Sequence, residues 1–232
     1  MTLKVFINGH LGKMGKLTQE ALKNKSFDIV GGASSTEELT QSLPTSQADC
    51  VIDFTEASSA LNNAQTILKL GFPAIIGSSG IHPDNHPSLN ALAKANNIGC
   101  WVVPNFSIGA LLLMKFSEEA SCFFKAIEIT ETHHCNKKDS PSGTALETVK
   151  RIRHQDKNMS IPIHSLRLPG AIAEQSVHLS NQGEILTLTH TCNHRDAFSP
   201  GIIYTCQNIL TFTGLRVGLD CLLSEPLQTS LV

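Results

Sequence analysis

Five short apolar runs in the first hundred residues are separated by segments of helical spacing, and each run ends in small or polar residues. That alternation constrains the fold more than any other feature. Strands joined through helices pair in parallel, and a parallel sheet buries both faces under its crossover helices. The runs are Leu3–Asn8, Phe27–Ala33, 48–55, 72–76 and 98–103, with helices expected over 16–24, from Glu37, over 56–70 and over 82–96. The fold class this predicts is α/β, a doubly wound parallel (Rossmann-like) domain. Ligands of such sheets bind outside the carboxyl ends of the strands, so the loops at Gly9, Ser34, Phe54, Gly77 and Asn105 are expected to line one crevice.

The first of those loops is the most informative. Gly9-x-x-Gly12-x-x-Gly15 lies directly between strand and helix, the context that makes a weak glycine pattern a usable dinucleotide signal. Gly9 suits the tight turn, Gly12 the approach of backbone to a pyrophosphate, and Gly15 the close packing of helix on strand. The second run ends in Ser34-Ser35 rather than in an acid, and Glu37 and Glu38 read as the start of the next helix. Two small hydroxyls with Lys13 nearby suit a ribose 2′-phosphate, so the sequence predicts that NADPH is used at least as well as NADH.

The pattern changes after residue 104. An apolar helix to about Phe123 is followed by a strand in which Ile127 and Ile129 alternate with polar neighbours. Beyond it stand Glu131, His133, His134, Lys137 and Asp139, then Pro141 and the helix opening Ser142-Gly143-Thr144. Two imidazoles, an ammonium and a helix N-terminus thus lie within a dozen residues. Exposed amides at such a terminus favour an anion, the hydroxyls add donors, and imidazole exchanges protons near neutral pH. The implied ligand is a small carboxylate or phosphate compound that is protonated during the reaction. Residues 157–162 read as a linker. Strand-like segments follow at 164–168, 173–179 and 184–190, with Ser180-Asn-Gln-Gly183 as a hairpin turn. A helix over 202–213 and a last strand over 217–223 are expected to rejoin the first domain. The domains predicted are therefore 1–104 with 198–232 for the dinucleotide, and 105–197, a smaller α+β domain with a mixed sheet, for substrate and oligomerisation.

Composition narrows the function. A net charge of −2, with one Trp and one Tyr, gives no basis for nucleic-acid binding, and no apolar run reaches membrane-spanning length. The chain enters its first strand at once, leaving no room for a signal peptide. Seven scattered cysteines without a CxxC pair fit idle thiols in a reducing cytoplasm better than disulfides or a zinc site.

The chain resembles the 4-hydroxy-tetrahydrodipicolinate reductase (dihydrodipicolinate reductase) family. The resemblance rests on Gly9-x-x-Gly12-Lys13-Met14-Gly15, Asp53-Phe54-Thr55, Gly77-Ser-Ser-Gly80, Asn105-Phe-Ser and, above all, the long motif from Glu131 to Ala145. Weaker matches follow at Arg167, Glu184, His190, Arg195 and Gly201. It implies reduction of a cyclic dicarboxylate imine by NADPH or NADH in the diaminopimelate route of lysine biosynthesis. His133 then serves as acid/base and Lys137 as proton donor, with His134, Lys137, Ser142, Gly143 and Thr144 holding the substrate carboxylates. The dinucleotide falls to Gly9, His10, Leu11, Gly12, Lys13 and Met14, to Gly77, Ser78 and Ser79, and to Val103, Pro104, Asn105 and Phe106; Ser34 and Phe54 join them from the strand pattern. No metal is implied, and a homotetramer is. The chain departs from the family at Ala173-Glu174-Gln175 and at Cys135-Asn136, and is somewhat short. Rival readings are a dinucleotide-sensing binding protein without catalysis, a metal hydrolase using His133, His134 and Cys135, and a semialdehyde dehydrogenase using Cys135.

Overall fold

The computed structural model describes residues 2–23, 26–155 and 159–224. It forms two compact units, one made of residues 1–106 with those from 198 onward, the other of 107–197.

The first unit carries β1 (Leu3–Asn8), α1 (Lys13–Leu22), β2 (Phe27–Ala33), α2 (Thr36–Ser42), β3 (Cys50–Asp53), α3 (Ala60–Lys69), β4 (Ala74–Ile76), α4 (His86–Ala95) and β5 (Gly99–Val102). The sheet order is β10-β5-β4-β3-β1-β2, where β10 is Gly214–Val217, and every neighbouring pair is parallel. Register explains why this sheet can hold a ligand. Asn8 pairs with both Ala33 and Asp53, Asp53 with Ile76, and Ile76 and Val217 each with Val102. All six strands stop on one line, so their loops leave from a single edge. Phe6, Val51, Ala74, Ile76 and Cys100 are buried with Leu39, Ile67, Leu68 and Leu89 from the helices. Burying each such large side chain contributes about 1.5–3 kcal/mol before chain entropy is counted.

Three expected elements differ in the structure. Helix α1 begins at Lys13 instead of residue 16, because Gly15 belongs inside it: a Cβ there would stand 2.2 Å from the Gly9 carbonyl oxygen. Residue 24, its expected end, lies outside the described residues. The last strand is Gly214–Val217, not 217–223; Gly218 takes φ +73°, ending the extended run, and Cys221–Ser224 is helical (α8). The preceding helix is α7 (Ser199–Asn208) with a further 3-10 turn, Ile209–Thr211. It starts before the expected residue 202 because Pro200 fits the first turn of a helix, where its missing N–H costs nothing.

The second unit carries α5 (Ile108–Ser121), β6 (Ala126–His133), α6 (Gly143–Gln155), β7 (Ile163–Arg167), β8 (Ala173–Asn181) and β9 (Glu184–Cys192), in the sheet order β7-β6-β8-β9. β6 runs parallel to β7 and antiparallel to β8, so the sheet is mixed. One face is apolar: Ile127, Ile129, Val177 and Leu179 are buried with Leu113 of α5 and Ala145, Val149 and Ile152 of α6. The other face is polar. Glu128 pairs with His164 at 2.7 Å, Ser176 with Thr189 at 2.9 Å, and Thr191 donates to Glu174 at 3.0 Å. Strand alternation separates the two faces residue by residue. Part of the expected linker at 157–162 lies outside the described residues.

Candidate active site

In the first unit the loops at the strand ends are organised by Asp53. Its carboxylate is fully buried at the end of β3. Oδ2 accepts from Asn8 Nδ2 at 2.6 Å and Asn63 Nδ2 at 3.2 Å; Oδ1 accepts from Ser78 Oγ at 2.6 Å and from Thr55 N and Oγ1 at 3.2 and 2.9 Å. A buried carboxylate is tolerated when its lone pairs are filled in this way. The result ties β1, the loop after β3, α3 and the loop after β4 to one carboxylate.

Around this anchor the glycines permit close approach. Gly9 takes φ +85°, and a Cβ there would meet the Phe54 carbonyl oxygen at 2.7 Å. Gly12, extended at the N-cap of α1, provides no side-chain cap, so the first amides of the ten-residue helix remain open to an anion. Phe54 and Phe106 pack as tilted rings with centroids 5.4 Å apart, and a Cβ on Gly77 would come within 2.3 Å of the Phe54 ring. A glycine cradle, an uncapped helix terminus and an apolar wall fit a dinucleotide.

The residues expected to hold the cofactor divide by what their side chains already do. Gly9, Gly12, Leu11, Lys13 and Met14 lie in the loop and first turn of α1, with Leu11 and Lys13 exposed. His10 is half-buried, its Nδ1 3.1 Å from the Ala33 carbonyl oxygen. Ser78 is buried and spends its hydroxyl on Asp53, and Val103 is fully buried. Ser79 and Pro104 are exposed, Asn105 is half-buried, and Phe106 turns its ring inward against Phe54. Ser34 is exposed and already engaged. Its hydroxyl and its N–H both donate to Glu38 Oε2, at 2.7 and 2.8 Å.

In the second unit a second buried carboxylate, Glu131, organises the loop after β6. Glu131 and His133 are two residues apart on one strand and so face the same side. Arg167 lies beside His133 on β7. Its guanidinium grips Glu131 with both forks, Nη1 to Oε2 at 3.1 Å and Nη2 to Oε1 at 2.9 Å, while Nη2 also donates to the Asp139 carbonyl at 2.7 Å. Burial alone would raise the Glu131 carboxyl, but Arg167 first, then the Ser165 hydroxyl and His133, hold it below the usual carboxylate range. His133 Nδ1 bonds to Glu131 Oε2. An anionic carboxylate only accepts, so Nδ1 carries the proton and Nε2 keeps a lone pair. Burial, with the cations of Lys137 and Arg167, pushes the imidazole below its ordinary value although Glu131 pulls the other way.

His134 falls just after the end of β6, in the turn closed by the Lys137 N–H on its carbonyl at 3.1 Å. Strand alternation therefore does not separate the two histidines. Lys137 Nζ pairs with Asp139 Oδ1 at 2.9 Å. Burial would raise Asp139, but Lys137 and the backbone amides of Asp139 and Gly143 hold it low. Ser142 is buried, its Oγ accepting from the Ala145 N–H at 3.2 Å at the start of α6. Gly143 faces open space, and Thr144 is half-buried one residue further along the first turn. Cys135 is exposed, its Sγ 3.8 Å from the Arg167 carbonyl. His133, His134, Lys137, Ser142, Gly143 and Thr144 thus belong to one strand end, one loop and one helix start. Sequence reasoning had Glu131 and Arg167 only as parts of motifs; the i, i+2 spacing of Glu131 and His133 was the signal that could have assigned Glu131. Nothing local in the sequence marked Asn63.

Comparison with known proteins agrees along nearly the whole chain. Residues 3–106 match the family model of the N-terminus of dihydrodipicolinate reductase, and residues 109–222 that of its C-terminus. The 4-hydroxy-tetrahydrodipicolinate reductase of Legionella pneumophila (strain Corby) is 40% identical over 243 residues, covering 96% of this chain and 100% of the relative. That of Coxiella burnetii (strain RSA 493 / Nine Mile phase I) is 37% identical over 240 residues, covering 96% and 100%. Among solved structures, the dipicolinate-bound dihydrodipicolinate reductase of Paenisporosarcina sp. TG-14 superposes with a TM-score of 0.81 at 28% identity, over 95% of this chain and 99% of that one. An amine dehydrogenase of Mycobacterium smegmatis, at 9% identity and a TM-score of 0.69 over 93% and 95%, shares the fold alone. With both halves of the family matched in order and the buried Asp53 and Glu131 anchors in place, this chain belongs to the dihydrodipicolinate reductase family.

Proposed function

We propose that the chain reduces 4-hydroxy-tetrahydrodipicolinate to tetrahydrodipicolinate with NADPH or NADH, in the diaminopimelate route to lysine. The reaction consumes a hydride and a proton and releases water. A bound reduced nicotinamide supplies the hydride; the chain supplies orientation, charge and protons.

The observation that carries this reading is the Arg167–Glu131–His133 relay beside Lys137. Loss of the 4-hydroxyl as water requires a base and an acid, and hydride addition leaves charge that needs a proton. His133, neutral with its lone pair on Nε2, serves as the base. Lys137 donates the proton. The substrate carboxylates take Lys137 and the first turn of α6, where Ser142, Gly143 and Thr144 stand, with His134 alongside. Because Lys137 is held by Asp139 in the free chain, a carboxylate ligand takes it by exchange. Lys13 and the Gly9–Met14 loop hold the dinucleotide phosphates, with Phe54, Gly77, Ser79 and Asn105 along its path.

The domain roles follow: 1–104 with 198–232 for the nucleotide, 105–197 for substrate and subunit contact. The polar outer face of the second sheet, edged by exposed Leu166 and Ile185, supports a homotetramer; light scattering at a monomer mass would refute it. Buried thiols raised by burial, with Cys100 and Cys206 pushed up to about 12, are inert and suit a reducing cytoplasm. No helix among the described residues is long and apolar enough to cross a membrane. The decisive assay condenses pyruvate and aspartate semialdehyde in situ and follows the absorbance of the reduced nicotinamide. Substrate-dependent oxidation that Lys137→Ala slows by at least about a hundredfold is expected. Nucleotide binding without oxidation would instead indicate a sensor.

A further inference from the structure

We propose that Gln175 is a positioning residue for the substrate carboxylates, acting on the first turn of α6 through Thr148. The inference rests on the dicarboxylate reading of that turn and deepens it.

Strand alternation decides where the side chain goes. Gln175, Val177 and Leu179 are alternate, buried residues of β8, so Gln175 shares the face on which Val177 and Leu179 pack with Ala145, Val149 and Ile152 of α6. A carboxamide on such a face is tolerated when it is hydrogen-bonded. Its Nε2 donates to Thr148 Oγ1 at 2.7 Å, and Thr148 Oγ1 donates to the Thr144 carbonyl at 2.8 Å. A hydroxyl has one proton, and Thr148 spends it on Thr144, so towards Gln175 it can only accept. That fixes the NH2 end of the carboxamide on α6. The other end, Oε1, is buried and accepts no hydrogen bond among the described residues.

Stability alone does not account for this residue. A buried acceptor without a partner is costly, and an apolar side chain of the same length would fill the space with neither polar atom. What Gln175 keeps is a line of hydrogen bonds from amide to hydroxyl to carbonyl, ending on Thr144. Threonine in a helix divides between two rotamers, and Gln175 holds Thr148 in the one that bonds four residues back. Such a bond draws the carbonyl and bends the helix locally. Gln175 therefore sets the tilt of the turn that carries Ser142, Gly143 and Thr144. It also stands in register beside Glu131 on β6, so a route through Glu131 and His133 has to be told apart from one through α6.

The test combines steady-state kinetics with calorimetric titration of pyridine-2,6-dicarboxylate into protein saturated with NADH. Gln175→Met should raise both KM for the substrate and Kd for the dicarboxylate about five- to tenfold, with kcat and nucleotide affinity within about twofold. Its melting temperature should stay level or rise, and the acid limb of kcat/KM should not move. Gln175→His, whose Nε2 lies as many bonds from Cα as the amide nitrogen, should bring Kd back to within about twofold of wild type. Thr148→Val should weaken binding as Gln175→Met does but lower the melting temperature, because it strands the whole carboxamide. Combining the two should bind no worse than either alone and recover the melting temperature. Unchanged KM and Kd in Gln175→Met, a shifted limb, or additive losses in the double variant would overturn the proposal. Should Gln175→Met not fold, Thr148→Ser, which keeps the hydroxyl, should bind as wild type where Thr148→Val does not; equal binding by both overturns it. Wild-type protein that binds the dicarboxylate without substrate-dependent oxidation would refute the reductase reading, and the Kd series then decides this inference alone. Wild-type protein that binds no dicarboxylate would refute both.

Discussion

Both units are built around a fully buried carboxylate at or near the end of an interior strand, Asp53 on β3 and Glu131 on β6, yet the partners differ in kind. Asp53 is held by neutral donors: two side-chain amides, two hydroxyls and one backbone N–H. Glu131 is held by a guanidinium and an imidazole. Neutral donors have one protonation state near pH 7, so the Asp53 network fixes loops without changing charge. An imidazole partner titrates, so the Glu131 network passes its charge to a group that exchanges protons. On the proposed mechanism, one carboxylate makes a scaffold and the other tunes a reaction.

Substitutions separate these roles, beginning with the largest effect. Lys137→Ala and His133→Ala should each lower kcat by roughly two to four orders of magnitude while nucleotide affinity stays near wild type. Near-normal turnover in both would sink the assignment. Next is Glu131→Gln, which leaves Arg167 facing a neutral amide and should cost about 3–5 kcal/mol of stability in denaturant unfolding. It also moves a pH limb. For wild type, kcat/KM should fall on acidification as His133 gains a proton, below the ordinary histidine range because burial outweighs Glu131. Since Glu131 is the group that raises His133, the variant's limb should lie at lower pH still. A limb that moves upward would contradict the relay.

Asp53→Asn should cost less, about 1.5–3 kcal/mol, the scale of hydrogen bonds to a charged group. Its functional signature should be weaker dinucleotide binding with the pH limb unmoved. A shifted limb would erase the distinction between scaffold and relay. Smallest is Cys135→Ser, exposed beside the loop: kcat should stay within about twofold and stability within about 0.5 kcal/mol. Loss of activity there would favour a thiol nucleophile.

The sequence carried the architecture well because buried parallel strands announce themselves locally. Val5, Phe6 and Ile7 or Ile75 and Ile76 are apolar runs bounded by small residues, and their positions follow without knowledge of neighbours. The last strand failed for the same reason: Leu219, Leu222 and Leu223 give an apolar run that suits strand or short helix, and the backbone turn at Gly218 decided it. In the candidate site, His133, Lys137 and Ser142-Gly143-Thr144 were legible because they are close in sequence. The groups that discipline them were not. Arg167 is 36 residues from Glu131, and Asn8 is 45 from Asp53, so pairing depends on sheet register. The partner of Ser34 was not legible because it lies one helical turn ahead and looks like an ordinary helix start.

The relay from Glu131 through His133 is the central claim, and NMR reads it directly. Long-range proton–nitrogen correlation of the imidazole of His133, assigned by comparison with His133→Ala, reports which ring nitrogen carries the proton at neutral pH. A neutral ring with the proton on Nδ1, lost as the preferred form in Glu131→Gln, is the predicted result. A ring protonated on Nε2 alone, or one indifferent to Glu131→Gln, would contradict it.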